Sequence, residues 1–353
     1  MSKRIVFCAD GTWEDADNDT NVYRLYKALT IASDQLPLYD DGVGATGDPV
    51  WKMLGGAFGT GLWQKIKDGY TKIAHVYEEG DDVFIFGFSR GAYTARSLAG
   101  MIAICGLPTQ DFSDAMVDTA FSAYRERDHD QRAAILATLS GCHLYDARIK
   151  MVGVWDTVGS LGIPAVFGLV DPLVYGFLDT GLHPDVLNAF HAMAIDEKRC
   201  EFPATLWTSV PAPGQALQQV WFTGTHGDVG GGVSDGSTAT TTLSDITLAW
   251  MMNHAAALGL EFDAAVIPQY PMPMDPKFAL DTLHPTWGIL WGFPRDRDIA
   301  GNATLGNSVA VRCQYDTSYR PSNLNHDNGV LSSSYEAAVV VAQPQTAAAK
   351  SGS

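Results

Sequence analysis

Cationic side chains are scarce in this sequence. Lysine and arginine together number 23 against 40 aspartates and glutamates, a formal net charge of −17 over 353 residues. Such a surface repels phosphate backbones and anionic membrane faces at long range, which excludes nucleic acid as a partner and removes polybasic anchoring to lipid. A lipid substrate is not excluded, because catalysis on lipid depends on a local apolar mouth rather than on net charge. Cysteine is sparse too. Cys8, Cys105, Cys142, Cys200 and Cys313 are odd in number and far apart, with no CxxC pair; neither a disulfide framework nor a zinc knuckle fits, and buried thiols in a reducing compartment do. Long apolar runs are lacking as well: none reaches the ~20 residues of a bilayer span. The apolar Ile5 to Cys8, behind Met1-Ser2-Lys3-Arg4, is too brief for the core of a signal peptide. The expectation is therefore a cytoplasmic protein without a transmembrane segment. No fixed-period repeat and no Pro/Ser linker divides the chain, and 46% hydrophobic residues suffice for a sizeable core. One domain over 1–331 with insertions is expected, followed by a tail over 332–353, rich in Ala, Val, Gln and Ser and partly disordered.

What is present is an alternation. Short apolar runs at Ile5 to Cys8, Val83 to Phe86, Ile149 to Trp155 and Val220 to Thr223 lack in/out alternation and read as buried parallel strands. Helical spacing marks Asn21 to Ile31, Ile66 to Glu79, Gly91 to Ile104, Gln131 to Leu139, Asp185 to Lys198 and Ser244 to Leu258. Strand and helix in turn predict an α/β fold: a doubly wound, mostly parallel sheet with helices on both faces and loops inserted near the site.

At Asp81 to Arg96 an apolar strand runs into Gly87-Phe88-Ser89-Arg90-Gly91 and then into good helix formers. GxSxG alone recurs by chance, but a strand before it and a helix after it are the context of a nucleophile elbow. A serine hydroxyl needs a base to remove its proton, and a sharp strand-to-helix turn projects it from the sheet. The partners should follow in the order Ser, Asp or Glu, His. Asp156 closes the strand Met151-Val152-Gly153-Val154-Trp155 and is the leading acid; a turn or helix-capping role is its alternative, and Asp228 is the reserve acid. Six histidines follow Asp156. His191 and His254 lie in helical patterns and read as packed or surface imidazoles, and His183 and His284 each precede proline. His226 instead opens the glycine-dense His226-Gly227-Asp228-Val229-Gly230-Gly231-Gly232 after a strand, as a base reaching both Ser89 and Asp156 would. Oxyanion donors are expected from the backbone N–H of Arg90 and from the loop Ala9-Asp10-Gly11-Thr12 after the first strand, so Asp10, Gly11 and Thr12 are named with it; a simple Asp-capped turn is the alternative.

These pieces occur together in a known family. Phe7-Cys8-Ala9-Asp10-Gly11-Thr12-Trp13, Thr20-Asn21-Val22, Asp41-Gly42-Val43-Gly44, Gly87 to Arg96, Gly153 to Ser160, Asp196-Glu197-Lys198-Arg199, His226 to Gly232, Leu243-Ser244-Asp245-Ile246 and Tyr319-Arg320-Pro321 resemble the α/β-hydrolase domain shared with type VI secretion phospholipase effectors. The resemblance implies Ser89, Asp156 and His226 as a triad, hydrolysis of a carboxylic ester such as that of a phospholipid, and export by a type VI-like route. The chain departs from the family in two places. A histidine commonly precedes a Ser-Val pair near the family's C-terminus, where this chain reads Leu305-Gly306-Asn307-Ser308-Val309, and the large membrane-engaging regions of the effectors are absent.

Other motifs carry less. Gly42-Val43-Gly44-Ala45-Thr46-Gly47 matches a dinucleotide-binding pattern, but no strand leads into it and no helix opens at its third glycine. Asp15-Ala16-Asp17-Asn18-Asp19 spaces oxygens as a calcium loop does, yet Thr20 stands where the turn glycine belongs and Tyr26 where the bidentate glutamate should be; the run reads as a solvated acidic turn capping the next helix, with calcium binding as the alternative. Leu161 to Leu178 and Pro285 to Phe293, the latter with Trp287 and Trp291, fit an acyl-chain groove or ordinary core packing. Gly55 to Gly61 fits close helix packing or a lid. The expected activity is a serine esterase, lipase or phospholipase needing no cofactor and no metal; a carboxylesterase on soluble or polymeric esters, a non-catalytic binding protein and an NAD-linked oxidoreductase are the alternatives.

Overall fold

The computed structural model describes residues 2–11, 19–41, 57–109, 112–139, 144–158, 180–200, 202–233, 242–285 and 293–343, with side chains from residue 61 onward in the third of these segments. Eight strands form the main sheet: β1 (Arg4–Ala9), β2 (Gln35–Asp40), β3 (Asp82–Phe88), β4 (Ile149–Trp155), β5 (Asn188–Ala194), β6 (Ala216–Phe222), β7 (Thr304–Gly306) and β8 (Glu336–Ala338). Their order is β8-β7-β6-β5-β4-β3-β1-β2, and every pairing between neighbours is parallel. The helices are α1 (Asn21–Ala28), α2 (Ala57–Ala74), α3 (Arg90–Cys105), α4 (Asp114–Arg125), α5 (His129–Ala137), α6 (His226–Gly230), α7 (Leu243–Ala257) and α8 (Asn307–Tyr315).

Successive strand residues feed opposite cores, as the period of two requires. Ile5, Phe7, Val83 and Ile85 pack with Ile66 and Tyr70 of α2, Leu98 of α3 and Val117 of α4 on one face. Val6, Cys8, Phe84 and Phe86 pack with Leu25 of α1 and Leu248 and Met251 of α7 on the other. The fold is thus doubly wound α/β. Its strand order reverses between β1 and β3, and such a reversal opens a crevice outside the carboxyl ends of the strands.

Three expectations are corrected here. Asp185 to Lys198 is not a helix: Asn188–Ala194 is a strand between β4 and β6. Alanine-rich Asn188-Ala189-Phe190-His191-Ala192-Met193-Ala194 favours helix locally, but buried on both faces, with Phe190 facing one core and Met193 another, it follows its tertiary environment. The glycine-dense run from His226 is a helical turn, α6, rather than a loop. The chain does not leave the fold at 331, since Glu336–Ala338 adds the edge strand β8 and Val340 and Val341 are buried. Asn307 holds that segment: its Nδ2 donates to Val341 O at 2.7 Å, and its Oδ1 accepts from the amides of Val340 and Val341 at 2.8 and 2.9 Å. Thr20 caps α1, its hydroxyl accepting from Tyr23 N at 3.1 Å. Among the described residues no helix is long and apolar enough to cross a membrane.

Candidate active site

Five residues of the site follow the carboxyl ends of strands. Asp10 comes after β1, Ser89 after β3, Asp156 after β4, Glu197 shortly after β5 and His226 after β6. Asp10 and Ser89 therefore flank the place where the strand order reverses.

The turn at Ser89 is tight for stated reasons. A Cβ on Gly87 would lie 2.4 Å from Gly91 O, and one on Gly91 would lie 2.2 Å from Ala9 O and 2.4 Å from Asp10 O. Only glycine lets α3 start against the backbone after β1. Ser89 itself has φ 58° and ψ −122°, and Asp156 has φ 40°. Non-glycine residues at positive φ are uncommon and cost about 1–3 kcal/mol, so they persist where surrounding structure fixes them. Here Ser89 N donates to Trp155 O at 3.1 Å and Asp156 N to Ala192 O at 2.7 Å.

The structure brings Ser89, His226 and Asp156 into one line. Ser89 Oγ lies 2.8 Å from His226 Nε2, and His226 Nδ1 lies 2.6 Å from Asp156 Oδ2. Phe88 and Phe202 hold the imidazole between them, with ring centroids at 4.6 and 5.2 Å. Asp156 is wholly buried, whereas Ser89 and His226 each keep 7% of their surface. Burial favours the neutral imidazole and lowers the His226 pKa, against the pull of Asp156 in the other direction. Burial pushes the Asp156 carboxyl up, but the charge of Arg297 and then the hydrogen bond and charge of His226 outweigh it and hold Asp156 well below the usual carboxylate range. A third acid, Glu197, accepts from His226 N at 3.2 Å. It is paired with Arg199 through Nε to Oε1 and Nη2 to Oε2, both 2.9 Å, and that guanidinium, working against burial, brings it down to about 2.

Asp228 does not face His226. Its Oδ1 is 2.7 Å from His284 Nδ1, and its Oδ2 accepts from the amides of Thr225 and His284 at 3.0 and 3.1 Å. The other histidines have different partners. His191, in β5 rather than a helix, accepts from Thr157 N at 3.0 Å; burial, helped by the Arg96 charge, lowers it to about 3. His254 stacks on Phe190 at 4.1 Å. His183 accepts from Asp185 N at 3.3 Å, and His326 donates to Leu324 O at 2.9 Å.

The loop after β1 is organised by Asp10. Its carboxylate accepts from Gly11 N at 2.8 Å, Thr20 Oγ1 at 2.7 Å and Tyr39 OH at 2.6 Å. The Gly11 amide is therefore engaged with Asp10 in this arrangement. The Arg90 amide opens α3 beside Ser89. Thr12, Trp287, Trp291, the Gly42 to Gly47 pattern, the Leu161 to Leu178 loop and all but Asp19 of the Asp15 to Asp19 run lie outside the described residues. Arg297 carries no signal in the sequence: Pro294-Arg295-Asp296-Arg297-Asp298 is a short run of alternating charge, and its partner is 141 positions away.

The fold is a doubly wound α/β fold with a mostly parallel sheet. The chain belongs to the family of type VI secretion system (T6SS) phospholipase effectors, Tle1-like, catalytic domain, whose sequence model matches residues 3–254. An uncharacterized protein of Saccharomyces cerevisiae is 30% identical over 235 residues, which are 59% of this chain and 33% of that protein; the chain thus spans about a third of its curated relative. The crystal structure of an uncharacterized protein from Pseudomonas aeruginosa aligns with a TM-score of 0.44 at 16% identity, over 75% of this chain and 47% of that one.

Proposed function

We propose that the protein is a serine ester hydrolase of the lipase and phospholipase kind, with Ser89 as nucleophile, His226 as general base and Asp156 as the acid that orients it. The observation carrying this reading is the unbroken line from Ser89 Oγ through both imidazole nitrogens to Asp156 Oδ2, set on a serine at positive φ. In the resting state the neutral imidazole donates from Nδ1 to Asp156 and accepts the Ser89 hydroxyl proton at Nε2. As Ser89 Oγ attacks the ester carbonyl carbon, its proton passes to Nε2 and the carbonyl π pair moves onto oxygen. The backbone N–H of Arg90 is the proposed donor to that oxyanion, joined by the loop of Asp10, Gly11 and Thr12 through Thr12 or through the Gly11 amide on release from Asp10 Oδ1, since the Asp10 amide is held by Asp40 O; one such donor is worth about 3–4 kcal/mol of transition-state stabilisation. Imidazolium then protonates the leaving alkoxide, freeing the alcohol. Water, deprotonated by the same nitrogen, hydrolyses the acyl-enzyme and regenerates Ser89. Family membership supports a lipid ester as substrate, and Trp287 and Trp291 are the proposed contacts for an acyl chain. A protein made in the cytoplasm and exported by a type VI-like route fits the same reading.

The test is labelling by a fluorophosphonate probe together with turnover of short-chain, long-chain and phospholipid-vesicle esters. Native protein should label and hydrolyse long-chain esters, and Ser89→Ala should do neither. Native protein that is unlabelled and inactive on every ester would overturn the reading. Turnover confined to short soluble esters would remove the lipid substrate and leave a carboxylesterase.

A further inference from the structure

Arg297 is the least expected group at the site, and its bonding is complete. A guanidinium has five N–H donors in a rigid fork. Nη1 donates to Asp156 Oδ1 at 2.6 Å and Ala194 O at 2.9 Å, Nη2 to Asp156 Oδ2 at 2.9 Å and Phe202 O at 2.7 Å, and Nε to Phe202 O at 3.1 Å. The carboxylate is equally well supplied. With Ala194 N on Oδ1 at 2.9 Å and His226 Nδ1 on Oδ2 at 2.6 Å, its two oxygens accept four hydrogen bonds. Arg297 reaches this place from beyond residue 254, where the family match ends. Its segment is laid across the one that carries Phe202: Arg295 N donates to Lys198 O at 2.9 Å, and Lys198 Nζ pairs with Asp296 at 3.3 Å.

Two of the acids nearest the imidazole are matched by arginines. Asp156 is matched by Arg297 and Glu197 by Arg199. Asp228, on the same helical turn as His226, faces His284, and Asp196 accepts from Gly224 N and Tyr319 OH. In a triad whose acid has no such partner, the bare carboxylate favours the imidazolium. Here a bidentate cation has already taken that charge.

We propose that Arg297 is a positioning residue of the hydrolytic site: its fork fixes both oxygens of Asp156 and cancels that carboxylate's charge, so that His226 stays neutral and able to take the Ser89 proton in mildly acidic solution. The inference rests on the serine-hydrolase reading above. Geometry and charge are separable, because lysine keeps the charge and loses the fork, whereas glutamine loses the charge. The Arg297 charge holds the Asp156 carboxyl down, while burial lowers His226 against the pull of Asp156.

The experiment is the pH profile of kcat/KM on one soluble ester, with the pH dependence of fluorophosphonate labelling alongside it, for the wild type, Arg297→Gln and Arg297→Lys. The wild-type acidic limb is expected below the ordinary histidine value of about 6.5. Arg297→Gln should raise that limb by about one pH unit. Arg297→Lys should leave the limb near the wild-type position while lowering kcat about tenfold or more, through looser placement of Asp156. A purely structural role would depress both variants evenly and leave the limb in place, and that result overturns the proposal. So does a wild-type limb at or above about 6.5, which decides the matter even if Arg297→Gln does not fold. An active Ser89→Ala variant would instead defeat the serine chemistry itself, which is a different outcome from labelling that persists with an unmoved limb.

Discussion

Asp228 stands two residues after His226 and turns away from it, placing Oδ1 2.7 Å from Nδ1 of His284. Of the two candidate acids, Asp156 meets the His226 ring and Asp228 does not. The division follows from the helical turn: Asp228 closes a capping box with Thr225, whose amide and hydroxyl donate to Oδ2 at 3.0 and 3.1 Å, while His226 at the head of the same turn points its ring toward β3 and β4.

This assignment separates two conservative substitutions. In Asp156→Asn the amide nitrogen must replace an oxygen that now accepts from Arg297, Ala194 or His226, so a donor faces a donor and the imidazole loses the partner that selects its tautomer. A fall in kcat of about 10³ to 10⁴ is expected. Asp228→Asn keeps an oxygen for the Thr225 amide and leaves the line from Ser89 to Asp156 intact, so kcat should change by less than about tenfold, with a stability loss of about 1 kcal/mol. Comparing the two variants on one ester, with thermal melts to check folding, would expose a reversed assignment as a reversed order of effects.

A second prediction concerns the elbow. In Gly91→Ala the new methyl would meet two backbone carbonyl oxygens, of Ala9 and Asp10, at 2.2 and 2.4 Å. Neither belongs to a movable side chain, so α3 must shift off the loop after β1. A loss of about 3 kcal/mol is expected, at the upper end of ordinary overpacking, together with loss of fluorophosphonate labelling. Gly214→Ala is the contrast. That residue has φ +84° with open space where its Cβ would go, so the variant should lose only about 1–2 kcal/mol through backbone strain and label normally. A Gly91→Ala variant that melts and labels like Gly214→Ala would show that the backbone after β1 yields to the new methyl, and that the close approach at Gly91 does not hold the elbow.

Much of this site is legible in the sequence because each part is local. The apolar runs of β1, β3 and β4 announce buried strands, and GxSxG, Asp156 and His226 each sit just beyond such a run or close after one. What is not legible depends on distant partners. The strand β2, Gln35-Leu36-Pro37-Leu38-Tyr39-Asp40, carries a proline and mixed polarity, which are tolerated at a sheet edge and hide it among loops; it lies at one end of the strand order. The strand β5 reads as helix until its neighbours bury both of its faces. Arg297 has no local signature, since the alternating Arg295-Asp296-Arg297-Asp298 is indistinguishable from a solvated turn. Its role exists only through the buried carboxylate that the fold brings to it. An unmatched buried carboxylate there would cost several kcal/mol.

The third prediction is a pH dependence of stability that does not involve the line from Ser89 to Asp156. Asp196, after β5, accepts from Gly224 N at 2.7 Å and Tyr319 OH at 2.9 Å, yet burial, opposed by these two hydrogen bonds, still pushes its carboxyl up to about 6. The folded protein therefore holds this proton more tightly than the unfolded chain does. The stability it confers is complete below about pH 4 and is lost as pH rises through about 6, where the buried group must ionise. Allowing for its partial exposure to solvent, the cost above that pH is about 1–2 kcal/mol. Asp196→Asn keeps an oxygen for both donors and removes the ionisation, so at pH 8 it should melt higher than the wild type, with the gain shrinking toward pH 4. Melting temperatures measured across that range check the sign directly: a difference between variant and wild type that stays constant with pH would mean that Asp196 ionises in the folded protein as it does in the unfolded chain.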